Sequence, residues 1–304
     1  MNKGYEIDTK AKRRRLKEKF IKVFFLINGV LAIFVLLGIF YLLLSEGLPT
    51  FSEVSIKEFL TTKRWNPSSY DIPGYGILGQ ITSTLVVTFG ALLISIPLGV
   101  AVAAYLAEVA GAREREILKP VIEILASIPS VVIGFLGIVL LGPFVARIFN
   151  LSNGLNALTG SILLGVMALP TIISISEDAI TSVPNEYRDA SLALGISKWH
   201  TLIKVIIPAA LSGIIASIML GMGRAIGETM TVLMATGNVP RFPDSIFSSL
   251  RTMTATIAIE LGEVPFNTIH YHSLFAIGSV LFIMTFCVNL VSDMILHKYE
   301  EEVS

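Results

Sequence analysis

Long blocks of apolar residues, separated by shorter polar segments, make up most of this 304-residue chain. Each block has roughly the length that an α-helix needs to cross about 30 Å of hydrocarbon. We therefore predict an all-α, polytopic membrane protein with six transmembrane helices. The predicted spans are residues 23–44, 76–107, 120–141, 159–176, 207–235 and 271–296.

The composition favours a membrane protein over a soluble one. Hydrophobic residues make up 53% of the chain and charged residues only 15%, whereas a soluble domain carries about 25% charged residues. The first apolar block is too long for a cleaved signal peptide and no small-residue cleavage site follows it, so we interpret it as a retained anchor. The predicted organisation is a basic N-terminal segment (1–22), the anchor (23–44), an extracytoplasmic segment (45–75), a core transmembrane domain (76–298) and a short tail (299–304).

The distribution of Lys and Arg predicts the orientation. Sixteen of the 23 basic residues lie in the set of loops that includes both ends of the chain. By the positive-inside rule, both termini lie in the cytoplasm of a multi-pass protein of the plasma membrane, or of a bacterial or archaeal inner membrane. A basic cluster at 12–19 could bind nucleic acid, but it directly precedes a span. We interpret it as an orientation signal that contacts membrane lipid.

The polar loop between the fourth and fifth spans, residues 178–206, predicts a helix–glycine–helix elbow. A first helix begins after Pro184 and ends at Gly195, a residue typical of helix C-termini, and Ser197 can cap a second helix. The second helix is predicted to place four apolar residues on one face: Trp199, Leu202, Ile203 and Ile206. From spacing alone, this elbow suits either a partner's groove or the membrane surface.

The fifth predicted span carries two charged residues in its interior, Arg224 and Glu228. Because they are four residues apart, they are expected to share one helix face. Burying either charge alone would cost about 2.5–3.5 kcal/mol on insertion scales. Gly223 and Gly227 form a GxxxG step that admits another helix or a ligand.

Two interpretations of this charged segment stay open. The first is a structural ion pair next to a packing motif. The second is an anion gate, in which the planar guanidinium of Arg224 binds a tetrahedral oxyanion and Glu228 holds Arg224 when no anion is present. In the second interpretation, Gly223, Gly227 and Thr229 also line the substrate path.

The elbow resembles the "EAA" motif of ABC importer permeases, which is Glu-Ala-Ala, three residues, Gly, nine residues and Ile-x-Leu-Pro. The matching residues are Asp189, Ala190, Ser191, Gly195, Val205, Ile206, Ile207 and Pro208, with conservative departures at Asp189, Ser191, Val205 and Ile207. The resemblance implies a type I ABC importer permease fold, in which the coupling loop 178–206 docks on an ATP-hydrolysing subunit. The coupling residues that it implies are Glu186, Asp189, Ala190, Ser191, Gly195, Trp199 and Pro208.

Further stretches resemble the PstC-type permease subunits of phosphate-specific ABC importers. They are residues 65–67, 75–76, 128–132, 168–171 and 223–230. This resemblance implies phosphate as cargo and ties Arg224 and Glu228 to its passage. It also implies three protein partners: a homologous second permease chain of the PstA type, a dimer of ATP-binding subunits that hold ATP and Mg²⁺, and an extracytoplasmic phosphate-binding protein.

The chain contains no Gly-Lys dipeptide and hence no P-loop, so we expect a transport subunit that binds no cofactor and is not itself an enzyme. The four histidines, His200, His270, His272 and His297, show no ligand spacing, and no metal site is expected. Three alternatives remain open. They are a permease for another oxyanion such as molybdate or sulfate, a secondary anion transporter or channel that works alone, and a non-transporting signalling scaffold.

Overall fold

The computed structural model describes residues 3–69 and 71–303, with side chains for 17–69 and 71–294. The side chains of residues 12–16 in the predicted basic cluster, and those of the tail, are not among those described. Helices dominate the described chain. They are α1 (Lys3–Gly47), α2 (Ile56–Thr61), α3 (Leu78–Ala104), α4 (Ala112–Ser127), α5 (Ser130–Leu136), α6 (Gly142–Ile148), α7 (Ala157–Thr181), α8 (Asn185–Ala193), α9 (Lys198–Thr201), α10 (Ile207–Ala209), α11 (Leu211–Gly227), α12 (Met230–Ala235), α13 (Met253–Glu260) and α14 (Ile269–Val303).

Shorter elements connect or extend these helices. Three π-helical turns of the described chain continue helices: Tyr105–Val109 follows α3, Gly137–Leu141 follows α5 and Leu202–Ile206 follows α9. A 3-10 helix, Leu48–Ser52, follows α1. Between the first two spans, strands β1 (Trp65–Asn66) and β2 (Gly74–Tyr75) form a small antiparallel hairpin in which Trp65 faces Tyr75.

In the described part of the chain, five helical stretches are long and apolar enough to cross a membrane, and a bent pair can supply a sixth. The five are Lys17–Ser52, Leu78–Val109, Ser130–Ile148, Ala157–Thr181 and Ile269–Met294, and the pair is Lys198–Ala209 with Leu211–Gly227. The pair is bent by 69° next to Pro208, whose ring prevents a regular helix. The all-α membrane fold is confirmed, while the cytoplasmic location of the termini stays a prediction.

The predicted third span, 120–141, is wrong at both ends. Residues 120–127 belong to α4, and the apolar helix that follows begins at Ser130 and runs to Ile148. The break lies at Ile128, whose backbone is extended with a ψ of 127°. Pro129 disfavours the helical conformation of the residue before it, and here the apolar run is divided between two helices.

Two buried clusters mark opposite sides of the described chain. One lies beside the β-hairpin and includes Phe59, Trp65, Ile77, Met253 and Leu274. We call this side the hairpin face. The other lies beside the elbow and includes Ala103, Ile180, Leu202, Ile206 and Ile214, and we call that side the elbow face. The basic-residue pattern predicts that the elbow face is cytoplasmic.

Candidate functional site

Arg224 and Glu228 do not share a helix face, contrary to the expectation from their spacing. Helix α11 ends at Gly227, and Glu228 has an extended backbone with φ −66° and ψ 133°. The Thr254 hydroxyl donates to the Glu228 carbonyl at 2.8 Å, and the Glu228 carboxylate accepts from the Thr231 backbone N–H at 3.3 Å. These bonds stabilise a break in the fifth span, because the first satisfies a carbonyl at the end of α11 and the second satisfies an N–H in the first turn of α12.

The Arg224 guanidinium is exposed and contacts the fourth span instead of Glu228. Its Nη1 donates to the Thr171 hydroxyl on α7 at 3.3 Å. Among the residues that the structure describes, no carboxylate lies within 4.0 Å of Arg224. The geometry therefore leaves a positive charge beside the helix break that no carboxylate of the described chain neutralises.

Among the described residues, no helix packs closely against the GxxxG step. A Cβ added to Gly227 would meet nothing within 4 Å, and one added to Gly223 would only reach Asn289 Oδ1 at 4.0 Å. Gly221 makes the close helix contact, because its Cβ would lie 2.9 Å from Ile172 Cγ1 on α7. The backbone at Gly227 is thus open beside Arg224, while the half-buried Thr229 hydroxyl donates to the Gly227 carbonyl at 3.4 Å.

A buried threonine connects the break in the fifth span to the beginning of the third. The Thr231 hydroxyl donates to the Ser130 carbonyl at 3.1 Å, and Thr231 is fully buried. The sequence predicted a site role for neither Thr171 nor Thr231, although Thr171 ends the stretch 168–171 that resembles the PstC-type permeases. Single hydroxyl residues are common in membrane helices, where they also bond to their own helix, so neither had a pattern that distinguished it.

The predicted helix–glycine–helix elbow is confirmed. Helix α8 follows Pro184, and Gly195 has the left-handed φ of 78° that glycine adopts without steric cost. The Ser197 hydroxyl then accepts from the His200 backbone N–H at 3.4 Å and caps α9. Local signals in the sequence are sufficient for this element.

The four apolar residues of the second elbow helix divide between two environments instead of forming one face. Leu202 and Ile206 are 5% and 0% exposed and pack in the buried cluster of the elbow face. Trp199 and Ile203 are 64% and 44% exposed. The division follows from the π-helical turn at Leu202–Ile206, which departs from the α-helical repeat. The buried pair anchors the elbow and leaves the indole free.

One of the predicted coupling residues is buried. Ser191 is 5% exposed, and its hydroxyl lies 2.9 Å from the Thr201 hydroxyl. Ser191 therefore holds α8 against α9 and is not available to contact a partner. The remaining predicted coupling residues are exposed: Glu186, Asp189, Ala190, Gly195, Trp199 and Pro208.

Two sets of ion pairs on the elbow face were not predicted from the sequence. Arg188 of the elbow donates through Nε to Glu108 at 2.8 Å. Glu177 on α7 is 1% exposed and accepts from Lys119 Nζ at 2.8 Å and from Arg115. The hydrogen bond to Glu177 raises the pKa of the Lys119 ammonium above its usual value.

On the hairpin face, three donors converge on the carboxylate of Glu260. Trp65 Nε1 donates at 3.0 Å, Arg251 Nη1 at 2.6 Å and His270 Nε2 at 2.7 Å. These residues line a cavity of about 410 Å³. The carboxylate thus connects the hairpin with α13 and the beginning of α14. No group of three potential metal ligands was found in the described part of the chain.

Comparison with known proteins gives concordant matches. Residues 95–301 match the family described as "binding-protein-dependent transport system inner membrane component". A "Probable ABC transporter permease protein YqgH" of Bacillus subtilis is 40% identical over 268 residues, covering 88% of this chain and 84% of that protein. The "Phosphate transport system permease protein PstC" of Mesorhizobium japonicum is 33% identical over 261 residues, covering 80% of this chain and 79% of that protein.

A solved structure supports the fold. One chain of a bacterial alginate ABC transporter, in complex with a pentasaccharide-bound periplasmic protein, aligns with a TM-score of 0.61 at 12% identity. The alignment covers 92% of this chain and 94% of that one. At this identity the likeness concerns the fold alone, which is that of an ABC importer permease.

Proposed function

The chain belongs to the family of binding-protein-dependent transport system inner membrane components, and from this premise we propose that it is the permease subunit of an ATP-driven importer of inorganic phosphate. The chain is a multi-pass component of the inner membrane and serves transport rather than catalysis. In the proposed importer it forms half of the translocation path and works by alternating access. A PstA-type permease chain forms the other half, a dimer of ATP-binding subunits holds ATP and Mg²⁺, and an extracytoplasmic protein delivers phosphate.

The observation that carries the proposal is the exposed guanidinium of Arg224 at a helix break inside the fifth span. A charge in a membrane helix is costly unless it faces water, a polar path or an opposite charge, and no carboxylate of the described chain neutralises Arg224. A guanidinium presents planar donors that match the oxygens of phosphate. The Thr171 hydroxyl and the open backbone at Gly227 add polar groups beside it.

The shape of the elbow supports docking on an ATP-binding subunit. Trp199 and Leu194 are 64% and 80% exposed, although both are large apolar residues. Exposed apolar residues that are grouped on one short element are typical of interaction sites. The buried Leu202 and Ile206 attach this element to the helices of the core, so a push on the elbow reaches the membrane domain.

Phosphate uptake by the reconstituted importer tests the role of Arg224. Loss of a charge-assisted contact of about 1.5–3 kcal/mol predicts that Arg224→Ala lowers uptake about 10- to 150-fold. Arg147→Ala is the matched control, because Arg147 is an exposed arginine at the end of α6. Co-purification of the subunits shows whether each variant assembles. Near-normal uptake by an assembled Arg224→Ala importer would refute the gate.

A second candidate keeps the architecture and changes the cargo to another oxyanion. The name of the Bacillus subtilis relative specifies no cargo, although it is 40% identical. Competition of phosphate uptake by molybdate and by sulfate decides between the cargoes. The alternative of a transporter that works alone is tested in liposomes that contain only this chain, where anion flux driven by an ion gradient would refute the ATP-driven mechanism.

A further inference from the structure

Helix α4 is held on the elbow face by the buried carboxylate of Glu177. Lys119 and Arg115, both on α4, donate to it. The two cations are 38% and 37% exposed, whereas the carboxylate is 1% exposed. A buried carboxylate without a partner is strongly unfavourable. The contact of α4 with α7 at this point is therefore specific and polar, unlike the apolar packing of the spans.

The segment immediately before α4 is bonded to the elbow. Arg188 on α8 donates through Nε to Glu108 at 2.8 Å, and its Nη2 donates to the Ile180 carbonyl at 3.0 Å. Glu108 lies in the π-helical turn Tyr105–Val109, and α4 begins shortly after it at Ala112. These bonds connect α8 directly to the chain that enters α4.

The other end of α4 leads to the break in the fifth span. Helix α4 ends at Ser127, and after the extended Ile128 the third span begins at Ser130. The Ser130 carbonyl accepts from the Thr231 hydroxyl at 3.1 Å, and the Thr231 backbone N–H donates to Glu228 at 3.3 Å. A continuous series of bonded contacts therefore runs from the elbow to the residues next to Arg224.

We propose that α4 is a rigid connection that transmits movement of the elbow to the break in the fifth span, with Glu177, Arg188 and Thr231 as positioning residues. The proposal rests on the proposed function, because it assumes that ATP-binding subunits move the elbow. Helix α4 has 16 residues and is thus about 24 Å long. None of the side chains of α4 is buried, so the ion pairs to Glu177 hold this helix in place and allow it to carry movement from one end to the other.

A second route is also present in the fold. The elbow continues directly into the fifth span through Leu202–Ile206 and the 69° bend. If this direct route carried all of the movement, loss of the Glu177 contact would leave the third span moving as in the wild type. The route through α4 predicts that a Glu177 variant loses movement of the third span, whereas the direct route predicts that it keeps this movement.

The first experiment measures the movement itself, independently of cargo. In a Cys287→Ser background, Val131→Cys at the beginning of the third span carries a fluorescent label, because Val131 is 45% exposed. The complete complex, with its partner permease and ATP-binding subunits, is expected to show an ATP-dependent change of the signal that Glu177→Gln largely abolishes. Asp178→Asn is the matched control, since Asp178 is 73% exposed and 3.7 Å from Lys119, and it is expected to keep the change.

The second experiment measures phosphate imported per ATP hydrolysed in proteoliposomes with the binding protein. A coupling contribution of 0.5–2 kcal/mol predicts that Glu177→Gln lowers this ratio by about 2- to 30-fold while ATP hydrolysis persists. Thr231→Val keeps the side-chain shape, removes the bond to Ser130 and is expected to lower the ratio likewise. It decides the question if the Glu177 variant does not assemble.

The outcomes separate the two proposals. A wild-type ratio and a wild-type label signal in an assembled Glu177→Gln or Thr231→Val complex would overturn the role of α4, and so would the absence of any ATP-dependent signal in the wild type. If the wild type shows the ATP-dependent signal, and Glu177→Gln removes it, but no phosphate is imported, the role of α4 stands and phosphate as cargo fails.

Discussion

Glu260→Gln is the substitution whose effect the structure specifies most fully on the hairpin face. The Glu260 side chain is 15% exposed, and its carboxylate accepts hydrogen bonds from Trp65, Arg251 and His270. Glutamine preserves the size of the side chain and removes its charge. The substitution therefore tests the electrostatic contribution of this contact with little change in packing.

The magnitude follows from what a glutamine oxygen can still accept. A neutral amide oxygen has two lone pairs, so it accepts from at most two of the three donors, and His270 regains a bond only by changing tautomer and accepting from the amide N–H. Charge-assisted bonds are roughly twice as strong as neutral ones. Arg251, only 16% exposed, also loses its ionic partner and keeps the bond from its Nε to the Asn238 carbonyl at 3.0 Å. Together these losses predict a decrease of about 2–3 kcal/mol in the free energy of unfolding.

The two tryptophans of the chain make a specific assay possible. In a Trp199→Phe background, Trp65 is the only tryptophan, and its indole is 4% exposed and bonded to Glu260. Denaturant unfolding of the purified chain in detergent, followed by Trp65 emission, is expected to show an earlier midpoint for Glu260→Gln and a red-shifted folded-state emission. Glu263→Gln is the control, because Glu263 is an exposed carboxylate next to the same cavity.

Equal midpoints for Glu260→Gln and the parent would refute the reasoning, because they would mean that the convergence of three donors contributes no net stability. An equal decrease for Glu263→Gln would also refute it. In that case the effect would come from the net charge of the hairpin face and not from the hydrogen bonds that the structure shows. Surface substitutions without such contacts usually change stability by about 0.5 kcal/mol or less.

Three further substitutions test other features. Gly195→Ala is expected to destabilise the elbow by about 1–2 kcal/mol because of its positive φ, and co-purification of ATP-binding subunits equal to wild type would contradict this. Gly154→Ala would place a Cβ 1.7 Å from the Gly142 carbonyl oxygen, and it is expected to abolish the monodisperse peak in size-exclusion chromatography. Gly111→Ala is the control, because a Cβ at Gly111 would have no neighbouring atom within 4 Å, and it is expected to preserve that peak. Trp199→Ala is expected to leave thermal stability unchanged and to weaken binding of the ATP-binding subunits, because the indole is 64% exposed. Undiminished binding would exclude docking through this indole.

Features that depend on neighbours along the chain were predictable from the sequence. The apolar blocks predicted the spans because the free energy of placing a helix in a membrane depends on the composition of that segment. The elbow was equally local. Pro184, Gly195 and Ser197 each specify the backbone or cap within a few residues of their own position, and the motif spacing led to the family that the comparisons confirm.

The helix boundary in the third span was recognisable in principle and still misassigned. The predicted span begins at Pro120, but Pro120 lies inside α4. The chain breaks at Pro129 instead, because Ile128 before it is extended and a proline disfavours the helical conformation of the residue that precedes it. Hydropathy averages over a window and does not register a change of direction at a single residue.

The environment of Arg224 was decided by the tertiary structure alone. The sequence placed Arg224 and Glu228 in one span, and a continuous helix would have put them on one face. The break at Glu228 depends on the Thr254 hydroxyl, 26 residues away, and the next turn is bonded to Ser130, 101 residues from Thr231. A sequence determines the cost of burying each segment, because that cost is a sum over its own residues. It does not reveal which distant side chain will satisfy an open backbone group, because that partner is fixed only when the helices pack.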